Sequence, residues 1–169
     1  MKKPLEGIRV LDLGHVLAMP TCTMQLADLG AEVIKIERPG TGDDSRNFGP
    51  FINNESAYFI SINRNKKSIT LDLKKEKDKK IFKNLVKISD VVTENYRPNT
   101  MQKLGLGYEV LKEINPKIIY ASTPIKLSLT TGKVETASPL LGQHTEEILK
   151  ELLGFSKGKI NSLKKEGVV

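Results

Sequence analysis

Between Ile8 and Ala121, apolar positions switch repeatedly between two periods, every second residue and every third or fourth. Ile8-Arg9-Val10-Leu11-Asp12-Leu13 alternates, which predicts a strand. After Gly14, the stretch from Pro20 to Leu29 sets Met24, Leu26, Ala27 and Leu29 at helical intervals. Pro20 suits the first turn of that helix and Gly30 its C-terminal cap. Glu32 to Glu37 alternates again as a second strand. Strand, helix and strand form a β-α-β unit, which implies parallel strands and a right-handed crossover. Turn formers fill Arg38 to Asn54, predicting a loop. Ser68 to Leu73 reads as a strand, and Lys77 to Ser89 as an amphipathic helix with Ile81, Leu85, Val86 and Ile88 near one face. Val91 to Glu94 and Ile118 to Ala121 are further strands. Between them lie two helical stretches, Asn99 to Leu104 and Tyr108 to Ile114, split by Gly105-Leu106-Gly107. The alternation predicts an α/β fold: a Rossmann-like open, mainly parallel sheet with helices on both faces, plus a C-terminal helical tail.

After Ser122 the rhythm changes. Residues 123–138 are small, polar and basic without a clean period, and read as a linker. Thr145 to Leu153 predicts a helix, with Glu146 and Glu147 at its positive end and Gly154 as its stop; Ile160 to Lys165 predicts a last short one. The expected organisation is a Rossmann-like region over 1–122, the linker, and a helical segment over 139–169 belonging to the same large domain.

Composition narrows the function classes. The chain of 169 residues is 38% hydrophobic, enough for a core. Its apolar runs fall far short of a membrane span. Cys22 stands alone, which excludes an internal disulfide and a multi-cysteine metal site. No signal-like apolar stretch follows Lys2 and Lys3, so the expectation is a cytoplasmic protein. Net charge is +7, yet only Arg9, Arg38, Arg46, Arg64 and Arg97 among 27 basic residues are arginine. Dispersed lysines favour a solvated face over a nucleic-acid site, which leans on arginine forks. Neither nucleic acid nor membrane is an expected partner.

The chemistry legible from residue types alone is thin. No dinucleotide or phosphate-loop glycine pattern occurs, and Gly40, Gly42, Gly105 and Gly107 read as turn glycines. His15 lies beyond the first strand, where open α/β sheets bind ligands; it reads equally as a ligand contact and as a hydrogen-bonded loop histidine. Arg38 follows the second strand and Arg97 a later one, so both can face the same crevice. Cys22 sits early in a helix, where the dipole favours a thiolate, but a buried helical cysteine is the favoured reading. His144 has no partner at a metal-like spacing.

The sequence also resembles a known family. Pro4-Leu5-Glu6-Gly7-Ile8-Arg9-Val10-Leu11-Asp12-Leu13 is similar to the opening of family III CoA-transferases, the group with formyl-CoA transferase and carnitine CoA-transferase. The resemblance continues through Leu26 to Glu37, Gly42-Asp43-Asp44-Ser45-Arg46, Asn63 to Ile69, Glu94-Asn95-Tyr96-Arg97-Pro98 and Leu104-Gly105-Leu106-Gly107-Tyr108. The wording is closest to the branch handling succinyl-CoA and dicarboxylic acids. Pro139 to Leu149 resembles the family's C-terminal helix and Glu166 to Val169 its last residues, with Pro124 to Ser128 already resembling that end. The resemblance thus implies both ends of the family, joined near Ser122-Thr123, without its large middle section.

The resemblance implies a chemistry. In the family an aspartate of the middle section attacks the acyl-CoA, giving a mixed anhydride and then an aspartyl-CoA thioester that the acceptor acid resolves. Here no aspartate follows Asp90, so no catalytic residue is assigned, and complete transfer by this chain alone is not expected. Coenzyme A or acyl-CoA remains the implied ligand, with no metal. Its contacts would fall on Leu17, Ala18, Arg38, Leu71, Asp72, Leu73, Lys74, Asn95, Tyr96, Arg97 and Lys103. Leu17, where relatives can carry a polar side chain, and Met19, in place of a usual glycine, are departures. A homodimer or a heterodimer with a full-length relative is the implied assembly, and marginal stability or oligomerisation is expected. The rival reading is a noncatalytic module that binds CoA or pairs with such a relative.

Overall fold

The computed structural model describes residues 2–122 and 142–168. The expected linker over 123–138 lies outside the described residues, and of the Ser122-Thr123 join only Ser122 is described. The chain divides into two compact units, one running to Lys126 and the other starting at Leu127.

The first unit is built on a five-stranded sheet. Strands β1 (Arg9–Asp12), β2 (Glu32–Glu37), β5 (Lys66–Thr70), β6 (Val91–Glu94) and β7 (Ile119–Ser122) lie in the order β5-β2-β1-β6-β7, and every pair is parallel. Helix α1 (Ala18–Asp28) crosses from β1 to β2, α3 (Glu76–Lys87) from β5 to β6, and α4 (Thr100–Lys103) and α5 (Tyr108–Ile114) from β6 to β7. Consecutive strands run outward on one side of β1 and then resume on its other side. This reversal opens a crevice between β1 and β6 at the strands' carboxyl ends.

Alternation along the strands sorts the core into two layers. Leu11, Leu13, Ile36 and Val92 pack with Phe82 and Val86 of α3 and Leu111 of α5 on one face. Val10 and Val33 pack with Ala27 and Ala31 on the other, beneath α1. That second face turns polar toward the carboxyl edge. Ser68, Lys35, Asp12 and Thr93 stand in one cross-strand row, paired Lys35 to Ser68, Asp12 to Lys35 and Asp12 to Thr93.

Several expectations need correction. Residues 38–54 are not a plain loop: they hold a 3₁₀ turn at Asp44–Asn47 and enter a hairpin of β3 (Phe51–Ile52) and β4 (Glu55–Ser56), followed by α2 (Ala57–Asn63). The fifth-in-sequence strand begins at Lys66, not Ser68, and ends at Thr70, although Leu71 still donates its N–H to Glu37 C=O at 2.9 Å. On α3 the inward residues are Phe82 and Val86, one turn apart; Ile81 and Ile88 fall off that stripe and are exposed. Cys22 is exposed, not buried, because α1 turns Met19, Pro20, Thr23, Met24 and Ala27 inward. The folded protein is therefore expected to titrate one thiol with a disulfide reagent at nearly its denatured rate. Strong protection in the native state would contradict this placement.

The second unit carries α6 (Thr145–Glu147), which runs into a π-helical turn at Ile148–Leu152, with Leu153 N–H reaching Ile148 C=O. Gly154 stops it at φ +66°. Helix α7 (Lys157–Lys165) follows, capped by Ser156, whose Oγ accepts from Lys159 N–H at 3.3 Å. Lys164 pairs with Glu146. Among the described residues no helix is long and apolar enough to cross a membrane.

Candidate functional site

Beneath the crevice lies a buried charge network. Asp12, wholly buried at the end of β1, accepts from Gly14 N–H at 2.8 Å, Thr23 Oγ1 at 2.7 Å and Lys66 Nζ at 2.9 Å. Lys66 also donates to Pro20 C=O and Asn63 Oδ1, both at 2.8 Å, which ties α1 and α2 to the sheet. A Cβ on Gly14 would stand 2.6 Å from Met19 Cβ and 2.8 Å from Asp12 Oδ1, so only glycine fits.

Lys35 links this network to the loop after β2. Its Nζ donates to Gly14 C=O at 2.7 Å and pairs with Asp43 Oδ2 at 2.9 Å. Asp43 Oδ1 accepts from Val16 N–H at 3.1 Å, Ser45 N–H at 2.9 Å and Ser45 Oγ at 2.8 Å. Val16 sits at φ +65°, a costly conformation for a β-branched residue, and the Asp43 bond helps hold it there. Glu37 closes the same loop: Arg46 grips it at 2.8 and 2.7 Å, Ser68 Oγ donates at 2.6 Å and Asp43 N–H at 3.0 Å. The Arg46 guanidinium lies 3.7 Å over the Phe59 ring, fastening α2 to the turn.

Asn95 locks the loops after β1 and β6 together. Its side chain accepts from His15 N–H at 2.7 Å and donates to His15 C=O at 2.9 Å. The imidazole packs on Tyr96 with ring centres 5.3 Å apart, and its Nδ1 is buried without a hydrogen-bond partner, 4.0 Å from Asp43. Burial pushes His15 below the ordinary imidazole value against the pull of Asp43, so it is neutral at pH 7. Burial likewise raises the Tyr96 phenol to about 12, keeping it a neutral hydroxyl.

Above this base opens a cleft of about 670 Å³, within the range of small-molecule sites. The structure brings eight of the sequence-derived residues to its wall: Arg38, Leu71, Asp72, Leu73, Lys74, Asn95, Tyr96 and Arg97. It does not bring Leu17, Ala18 or Lys103 there. Leu17 caps α1 and is 53% exposed, Ala18 opens that helix, and Lys103 ends α4 with the neighbouring Leu104 facing the cleft instead. His15 lines the cleft too, with its backbone N–H and C=O both bonded to Asn95. Sequence reasoning missed Thr41 and Asp44, and Lys75 and Thr100; the first two belong to the stretch read as an undifferentiated loop.

The cations around the cleft differ in state. Arg38 folds back on its own loop, donating from Nε to Gly42 C=O at 3.3 Å and pairing with Asp44. Lys74 and Arg97 are exposed and carry no ion pair among the described residues. The wall's carboxylates are engaged: Glu37 with Arg46, Asp44 with Arg38, and Asp72 with Lys75 at 3.7 Å. The arrangement suits a phosphate-bearing ligand lying across apolar Leu71, Leu73 and Leu104. Among the described residues no group of three potential ligands stands ready for a metal.

Known proteins share this arrangement of chain. The family model described as CoA-transferase family III matches residues 5–124. A Mus musculus succinyl-CoA:glutarate CoA-transferase is 58% identical over 121 residues, covering 71% of this chain and 28% of the relative. A Haloarcula hispanica succinyl-CoA:mesaconate CoA-transferase is 51% identical over 155 residues, covering 89% of this chain and 38% of the relative. The crystal structure of a CAIB/BAIF family protein from Brucella suis superposes with a TM-score of 0.68 at 43% identity, covering 72% of this chain and 33% of that one. The chain thus spans between 28% and 38% of the length of these two curated relatives. With residues 5–124 matched by the family model and the parallel sheet shared with a solved structure, the chain belongs to CoA-transferase family III.

Proposed function

We propose that the cleft at the carboxyl edge of the sheet binds coenzyme A or an acyl-CoA, in the service of CoA transfer between an acyl-CoA and a carboxylic acid. The observation that carries this reading is a pair of exposed cations without an ion pair among the described residues, Lys74 and Arg97, on one cleft floored by apolar side chains. The strands they follow, β5 and β6, stand three positions apart, roughly 14 Å, so the cations can hold separate phosphate groups of one extended ligand. Arg38, and Lys103 beyond the rim, add positive charge for the same polyanion. Tyr96 offers a neutral hydroxyl and His15 a neutral imidazole. The acceptor class we favour is a dicarboxylic acid, since the relatives are named for glutarate, mesaconate and oxalate.

The part this chain plays in transfer is the hold on CoA. By the resemblance, the family's attacking aspartate belongs to a section that this chain does not match, and the carboxylates of the described cleft wall lie in ion pairs: Glu37 with Arg46, Asp44 with Arg38 and Asp72 with Lys75. In this reading the attacking group comes from outside the described residues, by way of a further segment or a partner chain such as a longer relative. A cytoplasmic location and an oligomeric state belong to the same proposal.

Calorimetric titration with CoA tests it. The chain is expected to bind with micromolar affinity, and Arg97→Ala to weaken binding by about tenfold or more, as loss of a charged hydrogen bond to phosphate does. A folded chain that binds no CoA, or an Arg97→Ala variant that binds as well as the parent, would overturn the reading.

A further inference from the structure

Arg38 reaches the cleft already holding an anion. The loop that carries it is closed by Gly42 N–H to Arg38 C=O at 2.9 Å, by Arg38 Nε to Gly42 C=O at 3.3 Å and by the Arg38–Asp44 pair. Asp44 opens the 3₁₀ turn at Asp44–Asn47, and that turn is rigidly footed. Its cap, Asp43, is wholly buried on Lys35 and Ser45, and Arg46 inside it grips Glu37 with two bonds. Asp44 is therefore not a wandering surface carboxylate. It lines the cleft, over half exposed, with its charge set on the guanidinium that faces the ligand space.

We propose that Asp44 is an internal competitor for the anion seat on Arg38, admitting phosphate to that seat and keeping free carboxylates off it; this rests on the CoA reading given above. An intramolecular carboxylate competes at a high effective concentration, so a dissolved carboxylic acid of the same binding strength cannot displace it at millimolar levels. A phosphate can. It offers more charge and three acceptor oxygens to the planar donor fork, where a carboxylate offers two. A protein whose two substrates are both anions gains from this distinction. An open Arg38 would draw the carboxylic acid into the nucleotide seat, where it would block CoA. Asp44 thereby raises the threshold for filling the Arg38 seat equally for every anion, so that a weak free carboxylate falls below it while the multiply held phosphate of CoA does not.

Asp44→Asn, alone and combined with Arg38→Ala, tests the proposal by titration with CoA and with inorganic pyrophosphate, each with and without millimolar glutarate. Asp44 is exposed, so its amide is expected to leave the fold intact. Asp44→Asn should bind both probes about five- to tenfold tighter at low salt. Glutarate should then compete with them, as it does not in the parent. In the Arg38→Ala background the gain should fall below about twofold, because the competitor has lost its seat. Unchanged affinity for both probes would overturn the proposal while leaving the CoA reading intact. A full gain that persists without Arg38 would also overturn it, since diffuse charge repulsion would then suffice. A chain that binds no CoA, yet gains pyrophosphate affinity through Arg38 on Asp44→Asn, would support the competitor and refute the CoA reading.

Discussion

Asp12→Ala is expected to destabilise the sheet unit by about 3–5 kcal/mol, a large share of the stability of an ordinary domain. Asp12 is wholly buried, and four donors converge on its carboxylate: Gly14 N–H, Thr23 Oγ1, Lys66 Nζ and, at 3.4 Å, Thr93 Oγ1. Alanine leaves all four facing a small void. The ammonium of Lys66 loses the one carboxylate it pairs with among the described residues, and Lys35 Nζ, 4.0 Å from Asp12, is left near a less opposed positive charge. Burial already lowers the Lys66 pKa, with Asp12 as the main opposing influence, so the lysine can shed its proton in the variant. That escape caps the loss. Asp12→Asn keeps the shape without the charge and should lose less than the alanine variant. Adding Lys66→Met to Asp12→Asn should restore part of the difference, because the orphaned charge is then gone. Urea denaturation reads the effect directly: at typical slopes the midpoint falls by about 1.5–3 M. A midpoint shift under about 0.3 M would show that this network does not hold the sheet to α1 and α2.

How much of this was legible beforehand depends on whether a residue's role is decided locally. Strands β2 and β6 fall where their alternation puts them, and Gly30 at φ +106° ends the first crossover as its position suggests. The crevice was equally legible, because it follows from strand order: every residue just after a strand's carboxyl end is a candidate, and Arg38, Asn95, Tyr96 and Arg97 all qualify. The charge network was not. Dispersed lysines read as a solvated face, yet the side chains of Lys35 and Lys66 are each only 2% exposed. Their partners, Asp12 and Asp43, are brought to them by the register between strands and by a folded loop, which no local pattern encodes. Helix α2 escaped for a different reason. Tyr58, Phe59, Ile60 and Ile62 have strand propensity and no helical stripe, so tertiary context decides. Two local signals were available there: Asn53 and Asn54, both at positive φ, mark a hairpin turn, and Ser56 caps the helix by accepting from Phe59 N–H at 3.1 Å.

The loop that presents Arg38 should come apart in acid, taking several kcal/mol of stability with it. Burial works against the charge of Glu37, but Arg46, Ser68 and the Asp43 N–H outweigh it and hold the carboxyl at about 2 instead of the ordinary 4.5. Burial also opposes the charge of Asp43, and Lys35 and Ser45 bring it to about 2 from 3.8. Both folded-state values are depressed, so the unfolded chain binds protons first. The stabilisation is complete above about pH 4.5, shrinks as pH falls, and is gone near pH 2. At 1.36 kcal/mol for each unit, Glu37 contributes about 3 kcal/mol and Asp43 about 2 kcal/mol to the stability at neutral pH. Urea midpoints should therefore be flat from pH 7 to pH 5 and drop steeply from pH 4.5 to pH 2.5. Glu37→Gln isolates one member. It should be less stable than the parent at pH 7 and lose stability more slowly in acid, so that the two curves converge toward pH 2. Parallel curves, with the same offset at pH 7 and pH 3, would mean that Glu37 supports the fold through shape alone and not through the charge it shares with Arg46. Convergence would instead identify this ion pair as the fastening between the end of β2 and the 3₁₀ turn, and with it the support on which Asp44 faces Arg38.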